Sequence, residues 1–479
     1  MQTECRQQSF TFQALGSRAV VAGFDGGTIT SDAGALLLRE LADRRRFFRQ
    51  LADCFRDHRN PGQIEHTVEQ LISQRVVGLA LGYEDLVDHD ELCRDPLLAT
   101  VVGKSDPLGQ DRRRASDAGK PLAGKSTLNR LELRPKQAKA AERYTQVEIL
   151  DDALDAFFVL VMLQAHRQVP EVLVFDLDAT DDIIHGKQEG RHFHGYYDNY
   201  CYLPLYIFCG DFLLCARLRE SNIDASKGSV EELTRIIAQV RRWWPEVRII
   251  VRADSGFARE ELMAWCEAEP GVEYVLGLAK NARLLKMIEA EAAEAATRHA
   301  STGKAERVFA ELRYKTLETW SRERRVVAKV EHLEKGANPR FIVTSLSEAD
   351  YDTRALYEQL YCARGEMENR IKEQQLDLFA DRTSATRMRA NQIRLWFSSL
   401  AYVLMNEVRR VGLEGTDLEQ ATCGTLRLKL LKIGARVAVS VRRVLVSMSS
   451  SYPYQELFAQ VLERVRGLEC PPGGPPLRC

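Results

Sequence analysis

The sequence predicts an α/β protein: a mixed sheet with helices on its faces, a β-rich insertion late in the sheet region, and a mainly helical N-terminal region. Three observations lead there. Residues 171–180, Glu-Val-Leu-Val-Phe-Asp-Leu-Asp-Ala-Thr, run four apolar side chains into two carboxylates. Residues 171–279 then follow the order strand, hairpin, helix, strand, helix, strand. The N-terminal third carries helical periodicity instead.

Taken in order, residues 34–55, 63–81 and 84–95 have helical spacing, with Ser31 or Asp32 as a first cap. Segment 103–121 is rich in Gly, Asp, Arg, Ser and Lys and reads as a loop. A helix opens at Ser126 or Thr127, and another spans 144–166, strongly apolar from Phe157 to Leu163. The texture changes at Pro170. An apolar run such as 171–179 suits a strand buried on both faces. Its acids Asp176 and Asp178, spaced i,i+2, share one face at the carboxyl end, where open α/β sheets place their chemistry. Acids there are costly unless a metal or a proton neutralises them. An Asp capping the next turn explains one of them comfortably and two facing acids poorly.

Strands 201–209 and 212–219 flank Gly210-Asp211 as a hairpin. A helix over 228–244 stops at Pro245, and Val247 to Asp254 is a strand that again ends in a carboxylate. Asp254 alone could equally start the Ser-Gly turn after it. A helix over 258–268 and a strand over 272–279 follow. Helix 282–298 precedes alternating segments 306–314, 324–332 and 340–345, which read as a small antiparallel sheet of their own. Helices over 352–376 and 388–410 come next, and the Pro/Gly-rich stretch 469–479 reads as a tail.

Composition narrows the class. The 479 residues leave room for two or three domains. Charge is balanced, 67 basic against 68 acidic residues, so any surface for nucleic acid must be local. The 11 cysteines are scattered without a C-x-x-C pair, which argues for reduced thiols in a cytoplasmic protein and against a zinc site. No secretory signal opens the chain, and no run of about 20 apolar residues suggests a membrane span.

On the helix at 352–376, Tyr361, Arg364, Glu368 and Lys372 lie at i, i+3, i+7 and i+11 and form one stripe. Leu356, Leu360, Met367 and Ile371 form a neighbouring apolar one. A solvated charged face with an i,i+4 Glu368–Lys372 pair is the ordinary explanation. Against it stand the tyrosine and arginine on the same stripe, and two strand-end aspartates that lack a third acid.

Tyr361-x-x-Arg364-x-x-x-Glu368 is similar to the tyrosine–arginine–glutamate–lysine signature of DDE transposases from bacterial insertion sequences. Asp178 within Asp-Ala-Thr and Asp254 within Arg-Ala-Asp-Ser-Gly look like the two aspartates of that triad. From about residue 20 to 460 the chain resembles the insertion-sequence thirteen-eighty family, most specifically in His185-Gly-x-Gln-Glu-Gly190, Phe193-His-Gly-Tyr-Tyr197 and Glu368-Asn-Arg-Ile-Lys-Glu-Gln-Gln375. The family's lysine, expected seven residues after the glutamate, is Gln375 here, and Lys372 is the nearest basic group.

The resemblance implies an RNase H-like core and catalytic, metal-binding roles for Asp178, Asp254 and Glu368. It also implies two Mg²⁺ ions per site, with Mn²⁺ able to substitute, and double-stranded DNA, terminal inverted repeats and target, as partner. Three carboxylates can hold two Mg²⁺ about 3.5–4 Å apart, and hard oxygen ligands suit that ion. Tyr361, Arg364 and Lys372 would then face phosphates beside the cut. Coordinated cutting of two ends implies a homodimer on DNA, and the resemblance implies a bacterial, nucleoid-associated location in the cytoplasm.

The expected organisation is a helical DNA-binding and dimerisation region over 1–165, a first core part over 166–280 and a β-rich insertion over 281–353. A second core part with the glutamate helix and a basic segment covers 354–450, and a tail covers 451–479. The basic segment contributes Arg427, Lys429, Lys432, Arg436, Arg442 and Arg443.

Two other readings compete. Phe175 to Thr180 also resembles motif one of haloacid dehalogenase-like phosphatases, with Asp176 as nucleophile and Asp178 as general acid. A DNA-binding protein without catalysis is the third class, and the intact acids argue against it. Two further signals are weak. Gly119 to Ser126 matches a P-loop literally but lacks the buried strand such a loop follows. The spacing of His185, His192 and His194 does not fix them on one face.

Overall fold

The apolar run at Val172–Ala179 (β1) becomes the third strand of a nine-stranded sheet. The computed structural model describes residues 9–132 and 147–468. They divide between two compact units, one holding Ile149–Ser399 and the other the residues up to Glu148 and from Leu400 onward.

The sheet belongs to the first of these. After β1 come Leu205–Cys209 (β2), Phe212–Arg217 (β3), Arg248–Ala253 (β4) and Val272–Leu278 (β5). Glu306–Tyr314 (β6), Arg324–Leu333 (β7) and Arg340–Thr344 (β8) complete the main path. The order is β3-β2-β1-β4-β5-β8-β7-β6, with the short Gly336–Ala337 strand on β7. β1, β4 and β5 are mutually parallel, and the others pair antiparallel. The sheet is therefore mixed, as expected. The late strands pair antiparallel as expected, but not as a sheet apart: β8 also pairs with β5, so they extend the main sheet. Each late strand alternates in the right phase to continue the same two faces, and a bonded edge removes the unpaired backbone a separate sheet would expose.

Both faces of β1 and β4 are covered. Leu173, Phe175, Leu177, Ile249 and Val251 pack one face against helices Asp151–Ala165 (α1), Ser229–Trp243 (α2) and Glu260–Ala268 (α3). Helix α2 forms because Leu233, Ile236, Ile237 and Val240 make one stripe, with Glu231 and Glu232 in its first turn and Arg241 and Arg242 in its last. The opposite face, Val172, Val174, Ile250 and Val275, packs against Leu356, Tyr357 and Leu360.

Three local departures have simple causes. The predicted strand 201–209 splits at Pro204, which has no N–H for the ladder. Asn199–Tyr202 instead joins a small three-stranded sheet with Asp182–Ile183 and His192–His194. The predicted helix 144–166 starts at Asp151, Val147–Ile149 being extended, and its first residues lie outside the described ones. The predicted helix over 352–376 is wound three ways: a π turn at Leu356–Tyr361, a 3₁₀ turn at Cys362–Arg364, and α-helix over Gly365–Leu378 (α4).

In the other unit, the predicted helix 34–55 breaks at Arg46, which takes a left-handed φ of 53° between Ala35–Arg45 and Phe47–Ala52. The N-cap of the first is Gly34, where a Cβ would stand 1.9 Å from the Leu430 carbonyl oxygen. Asp32 does not cap. It accepts from Tyr83 Oη at 2.7 Å and from Lys432 Nζ at 2.6 Å. Val68–Ala80 opens with a full capping box from Thr67 and Gln70. The predicted helix 84–95 is only a 3₁₀ turn and the short helix His89–Leu92. Ala435–Ser440 and Arg443–Met448 form a hairpin that also pairs Ile29–Thr30. Among the described residues no helix is long and apolar enough to cross a membrane. The Pro/Gly-rich tail lies outside the described residues.

Candidate active site

The register of β1 on β4 builds the site. In this parallel pair Asp176 stands opposite Arg252 and Leu177 opposite Ala253, so the next step along both strands brings Asp178 beside Asp254. Neighbouring strands lie about 4.8 Å apart, which makes these two carboxylates close neighbours on one face. Asp176-x-Asp178 and Arg252-x-Asp254 share the i,i+2 spacing, so all four side chains point the same way.

The inner pair is structural. Asp176 and Arg252 are both buried, and the guanidinium grips the carboxylate through Nε at 2.5 Å and Nη2 at 2.7 Å. Arg252 also donates to the Leu360 carbonyl, tying the strand to the π turn. Removing either partner would leave a buried charge unpaired, which costs about 3–5 kcal/mol. Burial raises the Asp176 pKa, and Arg252 opposes it. Buried and held in this way, Asp176 offers no open carboxylate to a phosphate, so the phosphatase reading with Asp176 as nucleophile finds no support here.

The outer pair is open to the surface. The Asp178 side chain keeps 18% of its exposure. Asp254 caps the following 3₁₀ turn, accepting from the Gly256 N–H at 2.9 Å. The turn-starting role and a place in the acid cluster are therefore both realised by one residue.

Glu368 arrives from α4 and meets Asp178 through a cation. Arg364 Nη2 lies 2.6 Å from Glu368 Oε1, and its Nη1 lies 3.9 Å from Asp178 Oδ1. The i,i+4 partner of Glu368 is thus Arg364 and not Lys372, which is exposed and makes no ion pair among the described residues. Tyr361 lies under Gly277 of β5, where a Cβ would come within 2.6 Å of its hydroxyl. Only glycine admits the ring there.

Electrostatics binds the group together. Burial first, then the charges of Asp254 and Glu368, push the Asp178 pKa up to about 6, while Arg364 pulls it down. Burial works against the Arg364 charge, yet Asp178, Tyr361, Glu368 and Asp254 hold its pKa above the ordinary value. Burial also raises Tyr361. One guanidinium thus serves three carboxylates. Among the described residues no three His, Cys, Asp or Glu side chains stand close enough together to hold a metal as placed. The donor chemistry nevertheless fits a hard divalent cation: the carboxylates are oxygen ligands, short of positive charge, at the open end of the strands. The guanidinium stands between two of them.

Beside Asp254 opens a cavity of about 340 Å³, lined among others by Lys280, Arg340, Tyr357 and Tyr361. Lys280 and Arg340 are both exposed there. Sequence reasoning missed both, along with Arg252 and Gly277. The repeated acid-or-base-x-Asp spacing on β1 and β4 was the available signal for Arg252.

The remaining motifs are accounted for structurally. Gln375, where the lysine was expected, donates to Asp182 Oδ1 at 3.0 Å and to the Asp181 carbonyl at 3.3 Å. Burial pushes the Asp182 pKa up to about 8. Within the same motif Arg370 pairs with Asp211 of the β2–β3 turn at 2.8 Å. Gln188 and Glu189 bond to the backbone of Thr383 and Thr386, and Tyr197 Oη reaches the Ala179 carbonyl at 3.1 Å. His185, His192 and His194 do not converge on a metal site among the described residues. No strand precedes the P-loop-like stretch, only a 3₁₀ turn at Ala115–Asp117, and its Lys125 and Ser126 open the helix Lys125–Glu132. In the basic segment, Lys432 is held by Asp32 and Arg427 donates to the Ala80 carbonyl at 2.8 Å. Arg436, Arg442 and Arg443 remain exposed on the hairpin.

No curated protein is significantly similar in sequence. A cryo-EM structure of a piggyBac transposase synaptic complex with hairpin DNA matches at a TM-score of 0.40 and 10% identity, covering 92% of this chain and 82% of that one. The family model described as transposase DDE domain group 1 matches residues 12–470, nearly the whole length. The chain therefore belongs to the transposase DDE domain group 1 family.

Proposed function

We propose that this chain cleaves DNA at the terminal inverted repeats of a bacterial insertion sequence, of the thirteen-eighty type, and joins the 3′-hydroxyl ends to target DNA. The observation that carries the reading is the β1–β4 register, which sets Asp178 beside Asp254 at the carboxyl ends of two adjacent parallel strands. Glu368 reaches the same place through Arg364. An antiparallel hairpin, β2–β3, on a parallel β1–β4–β5 core supports the RNase H-like assignment.

In this reading Asp178, Asp254 and Glu368 hold Mg²⁺ or Mn²⁺. Two such ions, when bound, would activate the attacking oxygen and stabilise the leaving 3′-oxygen. The chain's own groups do the positioning. The Asp176–Arg252 clamp keeps β1 and β4 in register, so the two outer aspartates stay side by side. Arg364 and Lys372 offer positive charge to the phosphates next to the cut, and Tyr361 offers a hydroxyl. Lys280 and Arg340 extend that positive edge past Asp254. The helical region over 1–165 would read the terminal repeats, and a homodimer on DNA would cut both ends in one assembly. The proposed setting is the cytoplasm, at the nucleoid.

The test is a trio of isosteric substitutions, Asp178→Asn, Asp254→Asn and Glu368→Gln. Each should lower strand cleavage by about a thousandfold or more. Each should leave end-DNA binding in metal-free gel-shift assays within about threefold, because phosphate contacts supply most of the affinity. Full cleavage by Asp178→Asn would remove that residue from the site.

A further inference from the structure

Among the described residues, Arg364 is the cation paired with Asp178 and Glu368. Its guanidinium touches Glu368 at 2.6 Å on its own helix and lies 3.9 Å from Asp178 on β1. A surface i,i+4 pair would explain the first contact alone. It does not explain why the same head group leans on a half-buried carboxylate of the sheet. Nor does it explain why Asp254 and Tyr361 join the same charge system. Arg364 also ends the 3₁₀ turn between a π turn and regular α-helix, and such winding changes recur at functional positions.

We propose that Arg364 is the resident counter-ion of the metal-free acid cluster, and that a divalent cation and the Arg364 guanidinium compete for Asp178 and Glu368. The inference rests on the reading of these acids as metal ligands. Two positive groups cannot share the small space between the same carboxylates without strong repulsion. Metal binding then requires the guanidinium to swing out. The apparent metal affinity of the free protein falls by the fraction of molecules in which it has done so. A guanidinium turned out of the cluster carries a donor fork that matches a phosphate. A DNA phosphate that holds it outside favours metal, and by reciprocity metal favours DNA. Arg364 would therefore couple the two partners, so that the charged site is completed only on DNA.

Calorimetric titration of Mn²⁺ into the DNA-free full chain tests this. Arg364→Gln should bind the metal at least about tenfold more tightly than the wild type. Its metal-free melting temperature should be lower, and the rise on adding Mn²⁺ larger, because the acids then repel one another unopposed. Equal or weaker Mn²⁺ binding by Arg364→Gln would overturn the proposal. Asp178→Asn should lose Mn²⁺ binding in either background; undiminished binding there would refute the ligand assignment itself, a failure distinct from that of the competition. Should the Arg364→Gln protein not fold, wild-type titrations with and without duplex DNA decide. Tighter Mn²⁺ binding on DNA agrees with the coupling, and unchanged affinity contradicts it.

Discussion

Asp176 and Asp178 are two positions apart on one face of one strand, and their environments give them opposite fates. Asp176 is enclosed and held by Nε and Nη2 of Arg252, while Asp178 stands two residues closer to the strand end, where the cover stops. Their shared face was legible from spacing alone, as was the stripe carrying Tyr361, Arg364 and Glu368. The partner of Asp176 was not, because the bond crosses between strands far apart in sequence and depends on register. Gln375 shows the same limit: its departure from the family lysine was visible, but its buried partner Asp182 was not. That pair makes a prediction. The folded state holds a proton on Asp182 up to about pH 8, whereas the unfolded chain releases it near its ordinary value of 3.8. Stability should therefore fall as pH rises between those values, by about 1.4 kcal/mol per pH unit from this group, and level off above. Asp182→Asn should flatten that slope in denaturation curves across the window; an unchanged slope would assign it to other groups.

At the scale of elements, strand positions were read well wherever an apolar run had a clear end. β1, β4, β5 and β6 fall within about one residue of expectation. Errors arose where a single backbone property decides: Pro204 without its N–H, and Arg46 with its left-handed φ. The π turn at Leu356–Tyr361 left no periodic trace, since Leu356, Leu360, Met367 and Ile371 are buried as a plain helix would have them. The fit of that turn to the sheet depends on Gly277. Gly277→Ala would place a methyl 2.6 Å from the Tyr361 hydroxyl and 2.8 Å from the Ser255 nitrogen. A cost of about 1–3 kcal/mol follows from such overpacking. Cleavage should fall more than melting temperature suggests, because the intrusion sits against Asp254 and its cap. Wild-type cleavage by a folded Gly277→Ala protein would show that Tyr361 need not lie there.

For the whole molecule, a net charge of −1 rules out general attraction to nucleic acid. DNA must then be met by local groups, and the exposed Arg442 and Arg443 on the 435–448 hairpin are such groups. Replacing both with Ala should weaken duplex binding alike for all sequences and reduce the salt slope by about one for each phosphate no longer neutralised. An unchanged slope would place the DNA-facing charges elsewhere. The class of sheet was legible in the order of strands and helices. The joining of the late strands to that sheet was not, since one β5–β8 pairing decides it. In the proposed function, three carboxylates on β1, after β4 and on α4 cut DNA with divalent metal and no protein nucleophile. Incubating the full chain with DNA carrying the element's ends measures it directly. The expected outcome is Mg²⁺-dependent strand cleavage that EDTA abolishes, leaving free 3′-hydroxyls and no protein–DNA adduct. Cleavage that persists in EDTA, or a covalent adduct at the cut, would contradict it.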